Sequence, residues 1–317
     1  MDAGERTGRA AGGSGRAARG GAIPGTPGHP AFSLAGCAPS RLPVLLAVPH
    51  AGRVYPRGLV ERMRNPGFAT LRLEDRHADT LAEAVATATG ADLLVAHAPR
   101  AMLDLNRAPD DIDWDMFDMA RPAGLGHGSG RRAGSGLGLV PRRLAGLGEL
   151  WKQRHSADDL EQRLAGVHVP YHATVAAELA ALRDRWGAAL LIDFHSMPPL
   201  PQAHGRPAAR YVVGDRFGAS CNGALVAAAF AHLAQEGQLA AHNRPYAGGY
   251  TLDRHAASGS GIHAIQIEVD RSLYLDARLD SPGEGFPATT AVLAGLVRAL
   301  AAELVRLAGG SLCAAAE

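Results

Sequence analysis

The stretch Ala188-Ala-Leu-Leu-Ile-Asp-Phe194, which runs into His195, is a short apolar run of the kind typical of a buried strand. Two further runs have the same form, Pro43-Val-Leu-Leu-Ala-Val-Pro-His50 and Ile262-His-Ala-Ile-Gln-Ile-Glu-Val269. Shorter strand-like runs occur at 92–98, 101–106 and 210–214, and helical patterns at 80–89, 175–186, 222–236 and 288–307. Because strands alternate with helices, the sequence predicts an α/β protein, a three-layer α/β/α sandwich around a mixed, mostly parallel central sheet.

Both ends of the chain and one internal stretch are set apart from this pattern. Residues 1–36 contain ten glycines and four arginines with few large apolar side chains, which predicts a disordered tail. Residues 123–148 contain nine glycines, which predicts an insertion loop. We therefore expect a single globular domain over 37–310, followed by a short tail at 311–317.

Charge and motif content exclude several classes of protein. The 32 basic and 31 acidic residues leave a formal charge of +1, which argues against a nucleic-acid or membrane-surface partner. No apolar run reaches the roughly 18 to 20 residues of a membrane span. The three cysteines form no CxxC pair, which predicts a reducing compartment, the cytoplasm. GxSxG, GxxxxGK[ST], HExxH and a strand-to-helix GxGxxG are absent, which argues against serine hydrolases, P-loop ATPases and dinucleotide oxidoreductases.

Polar residues lie at the ends of three predicted strands, namely His50, His195 and Glu268. In open α/β sheets, ligands bind outside the carboxyl ends of the strands, so we expect these side chains to lie close together. Two imidazoles and a carboxylate are suited to a zinc site. Any one of these histidines taken alone is more often a structural residue, so the prediction depends on the three together.

The acidic segment Glu74-Asp75-Arg-His77-Ala-Asp79 is the best source of a further metal ligand. The alternative for this segment is helix capping, since Asp79 is well placed to cap a helix that begins at Thr80.

A second polar segment, Leu103-Asp-Leu-Asn106-Arg107, ends another strand-like run. The planar guanidinium of Arg107 can polarise a carbonyl or hold a carboxylate. A surface ion pair of Arg107 with Asp110 or Asp111 is an equally open alternative.

These motifs occur in the order found in a known family. Over about residues 40–305, the chain resembles the N-formylglutamate amidohydrolases. The resemblance is carried by Val-Pro-His50-Ala-Gly, Glu-Asp75-Arg-His77-Ala-Asp79, Leu-Asp-Leu-Asn-Arg107, Asp193-Phe-His195-Ser-Met, Asn243-Arg-Pro-Tyr-Ala-Gly-Gly-Tyr250 and Gln266-Ile-Glu268-Val-Asp-Arg271-Ser-Leu-Tyr274.

The resemblance implies a fold related to the zinc carboxypeptidases, with one zinc ion held by His50, His195 and an acidic residue. Carboxypeptidases take that acidic ligand three residues after the first histidine, and here Arg53 occupies the position. We therefore assign the ligand role to Asp75, with Asp79 as the second choice and His77 also open.

The resemblance further implies that Glu268 is the general base and that Arg107 polarises the substrate carbonyl. We predict Arg254, Arg271, Tyr250 and Asn106 as substrate-binding residues, with a structural ion pair between Arg271 and Asp270 as the alternative for Arg271.

The activity implied is hydrolysis of N-formyl-L-glutamate to formate and L-glutamate, as in histidine degradation. Two alternatives stay open: a zinc hydrolase acting on another N-acyl amino acid, and a non-catalytic binding protein of the same fold.

Overall fold

The computed structural model describes residues 14–119, 131–202 and 207–314. Within these residues, eight strands form one mixed sheet and two very short strands form a separate hairpin. The strands are β1 (Ser14–Gly20), β2 (Phe32–Ala38), β3 (Val44–Val48), β4 (Asp92–Ala96), β5 (Arg143–Leu144), β6 (Gly148–Glu149), β7 (Ala189–Met197), β8 (Tyr211–Gly214), β9 (Ala240–His242) and β10 (Ile262–Asp270). The order in the large sheet is β1-β2-β4-β3-β7-β10-β8-β9, and its four central strands run parallel.

Helices cover both faces of the sheet, which confirms the predicted α/β/α sandwich. The helices of the described part are α1 (Arg57–Arg62), α2 (Pro66–Leu73), α3 (Ala78–Thr89), α4 (Arg131–Gly134), α5 (Ala157–Arg163), α6 (Val169–Trp186), α7 (Gly223–Gln235), α8 (Tyr250–His255) and α9 (Phe286–Ala314). One core contains residues of α3, α7 and α9, and the other contains residues of α6 with the shorter α1, α2, α5 and α8. None of these helices is both long and apolar enough to cross a membrane.

The central strands deliver their side chains alternately to the two cores. Ile265, Ile267 and Val269 of β10 are buried on the α3/α7/α9 side, as their alternation with polar residues predicts. Gln266 and Glu268 therefore face the α6 side, where Ala264 is buried. In the parallel pairing with β7, Glu268 lies opposite His195 and Gln266 opposite Asp193.

Helix ends agree with the sequence signals. Gly90 and Gly187 end α3 and α6 with φ of 78° in both cases, a left-handed conformation that glycine adopts without steric cost. The start of α3 differs from expectation, because the helix begins at Ala78 with His77 as its N-cap, so Asp79 lies in the first turn and does not cap it.

The prediction that residues 1–36 form a disordered tail is wrong from residue 14 onward. β1 pairs with β2 along its whole length, and β2 pairs with β4. The outermost strand, β1, has no large apolar side chain and pairs with β2 through its backbone, whereas β2 buries Phe32 and Leu34 in the core on the α6 side. Composition carries little signal for backbone hydrogen bonds. Residues 1–13 lie outside the described residues.

Three other boundaries also differ. Residues 101–106 are buried but form no strand, because the chain turns there and packs into the core on the α6 side. Of the predicted insertion loop, 123–130 lies outside the described residues, and the remainder contains α4 and the β5–β6 hairpin. The predicted tail at 311–317 is partly helical, since α9 extends to Ala314.

Candidate metal and catalytic site

Two histidines and an aspartate meet at the carboxyl ends of β3 and β7. The ligand atoms of His50, Asp75 and His195 all lie within 4.8 Å of one another, and all three side chains are buried. The Oδ2 atom of Asp75 lies 3.1 Å from His195 Nδ1 and 3.8 Å from His50 Nδ1. We call these three residues the His-Asp-His cluster.

Local backbone structure brings the cluster together. His50 follows β3, and its carbonyl accepts a 2.9 Å hydrogen bond from the N–H of Asp75, which ties the turn before α3 to the end of the strand. Arg271 donates to Asp75 Oδ1 at 3.2 Å and to the carbonyl of Glu74 at 2.6 Å. Arg271 thus holds Asp75 in place from the end of β10.

Each histidine of the cluster contacts a further buried aspartate through its other ring nitrogen. His50 Nε2 donates to Asp104 Oδ1 at 2.7 Å, and His195 Nε2 lies 3.0 Å from Asp193 Oδ2. Burial alone would raise the pKa of Asp104, but the charge of Arg100, 2.9 Å away, holds that pKa well below its usual range. Asp104 is therefore an ionised acceptor, which fixes the orientation and the tautomer of His50.

The state of His50 fits a bound cation. Burial and the charge of Arg100 lower the pKa of His50 to about 4, so the ring is neutral at neutral pH. Because its single proton points to Asp104, Nδ1 carries a lone pair, and this buried atom has no hydrogen-bond partner within the described residues. His50 Nδ1 faces Asp75. Burial would raise the pKa of Asp75, but a hydrogen bond donated by His195 holds that pKa below the usual carboxyl value. Although burial lowers the pKa of His195, Asp193 and Asp75 raise it well above its ordinary value, so this ring carries a positive charge between the two carboxylates. Two electron-pair donors that face each other beside a held positive charge fit a divalent metal, which would take the place of the proton on His195 Nδ1.

The neighbouring strand places Glu268 beside the cluster. Gln266 Nε2 donates to Glu268 Oε1 at 2.9 Å, and Gln266 Oε1 accepts from Asn106 Nδ2 at 3.3 Å. Burial raises the pKa of Glu268 to about 7, although the charge of His195 opposes the shift. A buried carboxyl group with a pKa near neutrality is suited to accept and return a proton.

Asn106, predicted to bind substrate, reaches the cavity but uses its polar atoms on the protein. Its Nδ2 also donates to Asp193 Oδ2 at 3.2 Å, its Oδ1 accepts from the N–H of Thr251 at 2.9 Å, and its own N–H donates to Asp104 Oδ1 at 2.8 Å. Asn106 thus connects the aspartates behind both cluster histidines with Gln266.

A cavity of about 720 Å³ opens onto the cluster and Glu268. Arg107 lines it, with Nε donating to the carbonyl of Leu137 at 2.9 Å and Nη1 to the carbonyl of Asn106 at 2.7 Å, which fixes the guanidinium in position. The other arginines on its wall are Arg72, Arg100, Arg143 and Arg271. An anionic substrate would therefore meet a cationic wall around the cluster.

Several predicted residues lie elsewhere. Asp79, the second-choice ligand, forms a bidentate ion pair with Arg53 at 2.6 and 3.2 Å, outside the cluster. His77 contacts the carbonyl of Asp280 at 3.1 Å. The alternative pairing of Arg271 with Asp270 is wrong, because Arg210 binds Asp270 at 2.8 Å.

Arg254 and Tyr250 are predicted to bind substrate, but neither is among the described residues that line the cavity. The Arg254 guanidinium donates to the Tyr250 hydroxyl at 3.2 Å, and the Tyr250 ring packs 5.2 Å from that of His172. Both residues belong to α8, which begins directly after Gly248 and Gly249 of the cavity wall, and Arg254 is exposed.

Four residues that contact the site have no role predicted from the sequence, namely Asp104, Asp193, Gln266 and Arg100. A usable signal existed for the two aspartates. Asp193 interrupts an apolar strand, and Asp104 lies between Leu103 and Leu105. A polar side chain in an apolar stretch is buried together with its neighbours and then needs a partner. Gln266 shares the polar face of the alternating strand with Glu268, whereas Arg100 carries no comparable signal.

Comparison with known proteins identifies the family of the chain. Residues 42–275 match the family described as N-formylglutamate amidohydrolase. The chain is 32% identical over 244 residues to an N-formylglutamate deformylase of Pseudomonas aeruginosa, covering 74% of this chain and 83% of the relative. A Pseudomonas putida protein of the same name is 31% identical over 245 residues, with the same coverage. A crystal structure of N-formylglutamate amidohydrolase from Ralstonia eutropha superposes with a TM-score of 0.73 and 29% identity, covering 88% of this chain and 97% of that one.

Proposed function

Because the chain belongs to the N-formylglutamate amidohydrolase family, we propose that it hydrolyses N-formyl-L-glutamate to formate and L-glutamate. The observation that carries this proposal is the single cavity onto which the His-Asp-His cluster, Glu268 and Arg107 all open. Hydrolysis of a formamide needs an activated water, a proton acceptor and stabilisation of the developing oxyanion. The cavity contains a group suited to each of these tasks.

We assign the metal ligands as His50, Asp75 and His195, and zinc as the metal, since two imidazoles and one carboxylate leave a fourth position open in a tetrahedral site. When bound, such a metal lowers the pKa of a water molecule and acts as a Lewis acid toward a carbonyl oxygen. Asp104 and Asp193 keep the imidazoles oriented toward the metal position through the opposite ring nitrogens.

Glu268 is the proposed general base. Its carboxylate accepts a proton from the attacking water and then returns it to the amine nitrogen as the C–N bond breaks. Gln266 donates to Oε1 of this carboxylate, so Oε2 is the proposed acceptor of the water proton. Burial keeps the pKa of Glu268 near 7, so the group can both take up and release the proton near neutral pH.

Arg107 is the proposed electrophilic residue. Its Nε and Nη1 are held by backbone carbonyls, so the guanidinium needs little reorganisation when charge develops on the formyl oxygen. This arrangement favours the transition state over the neutral ground-state carbonyl.

The two substrate carboxylates need cationic partners, and we assign one of them to Arg72 in place of the predicted Arg254. Arg72 lines the cavity and stacks 5.1 Å from the ring centre of Phe68. Within the described part of the chain its guanidinium has no ion-pair partner, whereas Arg271 is bound to Asp75 and Arg100 to Asp104.

The direct test of the proposed function is formate release from N-formyl-L-glutamate by the purified protein, before and after metal removal with a chelator and after zinc is restored. We expect turnover that is lost with the metal and regained with zinc. N-acetyl-L-glutamate and N-formyl-L-glutamine serve as competing substrates. Faster turnover of another N-acyl amino acid would indicate a zinc hydrolase specific for that substrate. Metal binding without any turnover would indicate a binding protein.

The pathway, the location and the partner molecule complete the proposed function. We place the reaction in cytoplasmic histidine breakdown, with a small N-acyl amino acid as the partner molecule and neither nucleic acid nor membrane involved.

A further inference from the structure

Three buried histidines lie behind the site and take no part in the mechanism above. His172 Nε2 contacts the carbonyl of Leu105 at 2.9 Å, and His172 Nδ1 contacts His255 Nε2 at 2.9 Å. His168 Nε2 contacts the carbonyl of Arg107 at 3.0 Å. Two histidines of one helix face thus hold two carbonyls of the same short segment.

The acceptors fix the tautomers of these rings. A carbonyl oxygen only accepts, so His172 must carry its proton on Nε2, and its Nδ1 must accept the Nε2 proton of His255. Burial lowers the pKa of His172 to about 2 and that of His255 to about 4, so both rings are neutral. By the same argument His168 carries its proton on Nε2.

The segment held in this way, residues 104–107, carries three side chains of the site. Asp104 orients His50, Asn106 connects Asp193 with Gln266, and Arg107 reaches the cavity. The histidines hold the carbonyls of Leu105 and Arg107, so they act on the backbone of this segment without contacting the cavity themselves.

The local helix geometry explains how both rings reach the segment. A π-helical turn over Leu164–His168 joins α5 to α6, and His168 and His172 are then four residues apart on one face. Neither helix propensity nor core packing requires two neutral histidines there. Apolar residues would fill the space but would leave both carbonyls without these donors.

We propose that His172 and His168 are positioning residues for the reaction: by clamping the backbone of residues 104–107, they set the placement of Asp104, Asn106 and Arg107. The expected changes in kcat and KM rest on the proposed function. The expected change in metal affinity does not, because it can be measured without turnover. Loss of partners that orient metal ligands typically costs about 10- to 100-fold in metal affinity or activity.

The test compares His172→Leu, which removes the donor to Leu105, with His172→Gln, whose amide nitrogen retains a donor at a similar reach. His232→Leu is the matched control, since His232 also contacts a backbone carbonyl, that of Val292 at 2.8 Å, but on α7 away from the site. The zinc dissociation constant, kcat at saturating zinc, and KM are measured for each.

We expect His172→Leu to bind zinc about tenfold more weakly and to lose about tenfold in kcat, with most of both restored in His172→Gln. His232→Leu should lose stability only. Equal zinc affinity and kcat in wild type and a folded His172→Leu would overturn the inference. If the wild type turns over no formyl substrate but the variant still binds zinc more weakly, the proposed function fails and the positioning role stands.

If His172→Leu does not fold, nitrogen-15 NMR of the wild-type imidazoles gives an independent test. At pH 7, His172 and His168 should be neutral with the proton on Nε2. A proton on Nδ1 of His172, or a charged ring, would contradict the clamp directly.

Discussion

Replacing Glu268 by glutamine is the sharpest test of the proposed chemistry, because the substitution changes one property. Glutamine retains the size of the side chain and an oxygen that can accept the 2.9 Å hydrogen bond from Gln266, but it cannot take up a proton at neutral pH. Glu268 is not a member of the His-Asp-His cluster, so the metal ligands keep their contacts.

The expected loss follows from the role of the group. A positioned general base contributes roughly 10²- to 10⁴-fold, so kcat per bound metal should fall at least about 100-fold, equivalent to about 3 kcal/mol of transition-state stabilisation. With a pKa of about 7, Glu268 is about nine-tenths ionised at pH 8. Assays at pH 8 therefore compare the variant with an almost fully active wild-type base.

The assay is formate release with the bound metal quantified in the same samples. Glu74→Gln is the matched control, because Glu74 is equally buried, precedes the ligand Asp75 and pairs with Arg76 at 3.0 Å, but does not line the cavity. The control should lose stability and keep its kcat per bound metal.

Three outcomes separate the roles of Glu268. Normal metal content with strongly reduced kcat supports the general base. Loss of metal would make Glu268 a ligand, and reduced stability with intact turnover of the folded fraction would make it structural. A Glu268→Gln protein that keeps wild-type kcat per bound metal would refute the reasoning, and a different proton acceptor would be needed.

Three further predictions concern the metal, the sheet edge and acid stability. The His50→Ala/His195→Ala double variant should purify with little zinc by elemental analysis, whereas full metal content would refute the ligand assignment. Deleting residues 1–36 should lower the melting temperature, because β1 and most of β2 are lost from the sheet, and an unchanged melting temperature would show that this edge contributes nothing. In chelator, the free energy of unfolding should fall between pH 7.5 and 5, since His172 stays neutral in the folded state while its unfolded-state pKa is near 6.5. Folding lowers the pKa of a buried neutral histidine, so the free energy of unfolding decreases as pH falls. For His172 the decrease is about 2 kcal/mol at pH 5. Urea titrations of His172→Gln should show a pH dependence that is smaller by this amount.

The central strands and the helices were predictable from the sequence because their signals are local. Apolar runs mark β3 and β7, alternation of apolar and polar residues marks β10, and glycines mark the ends of α3 and α6. The edge strand β1 was missed because it contains few apolar side chains and is held in place by backbone pairing with β2.

The composition of the candidate site was partly predictable for the same reason. His50, His195 and Glu268 lie at strand ends, and parallel strands bring their carboxyl ends to one edge of the sheet. The family motifs pointed to Asp75 and Arg107, which the structure also places at the cavity.

Only the tertiary structure decides which residues support the site and which face the substrate. Arg254 and Tyr250 follow a glycine-rich loop in sequence, but the Tyr250 ring packs against His172 and the exposed Arg254 binds the Tyr250 hydroxyl. Asp104 becomes the partner of His50, which is 54 residues away along the chain, and Asp193 becomes the partner of His195, which is two residues away. The sequence by itself determined the strands, the helices and the kinds of chemical group available. The pairing of those groups was decided by packing, because a hydrogen bond depends on a distance and an angle between atoms that the order of residues does not specify.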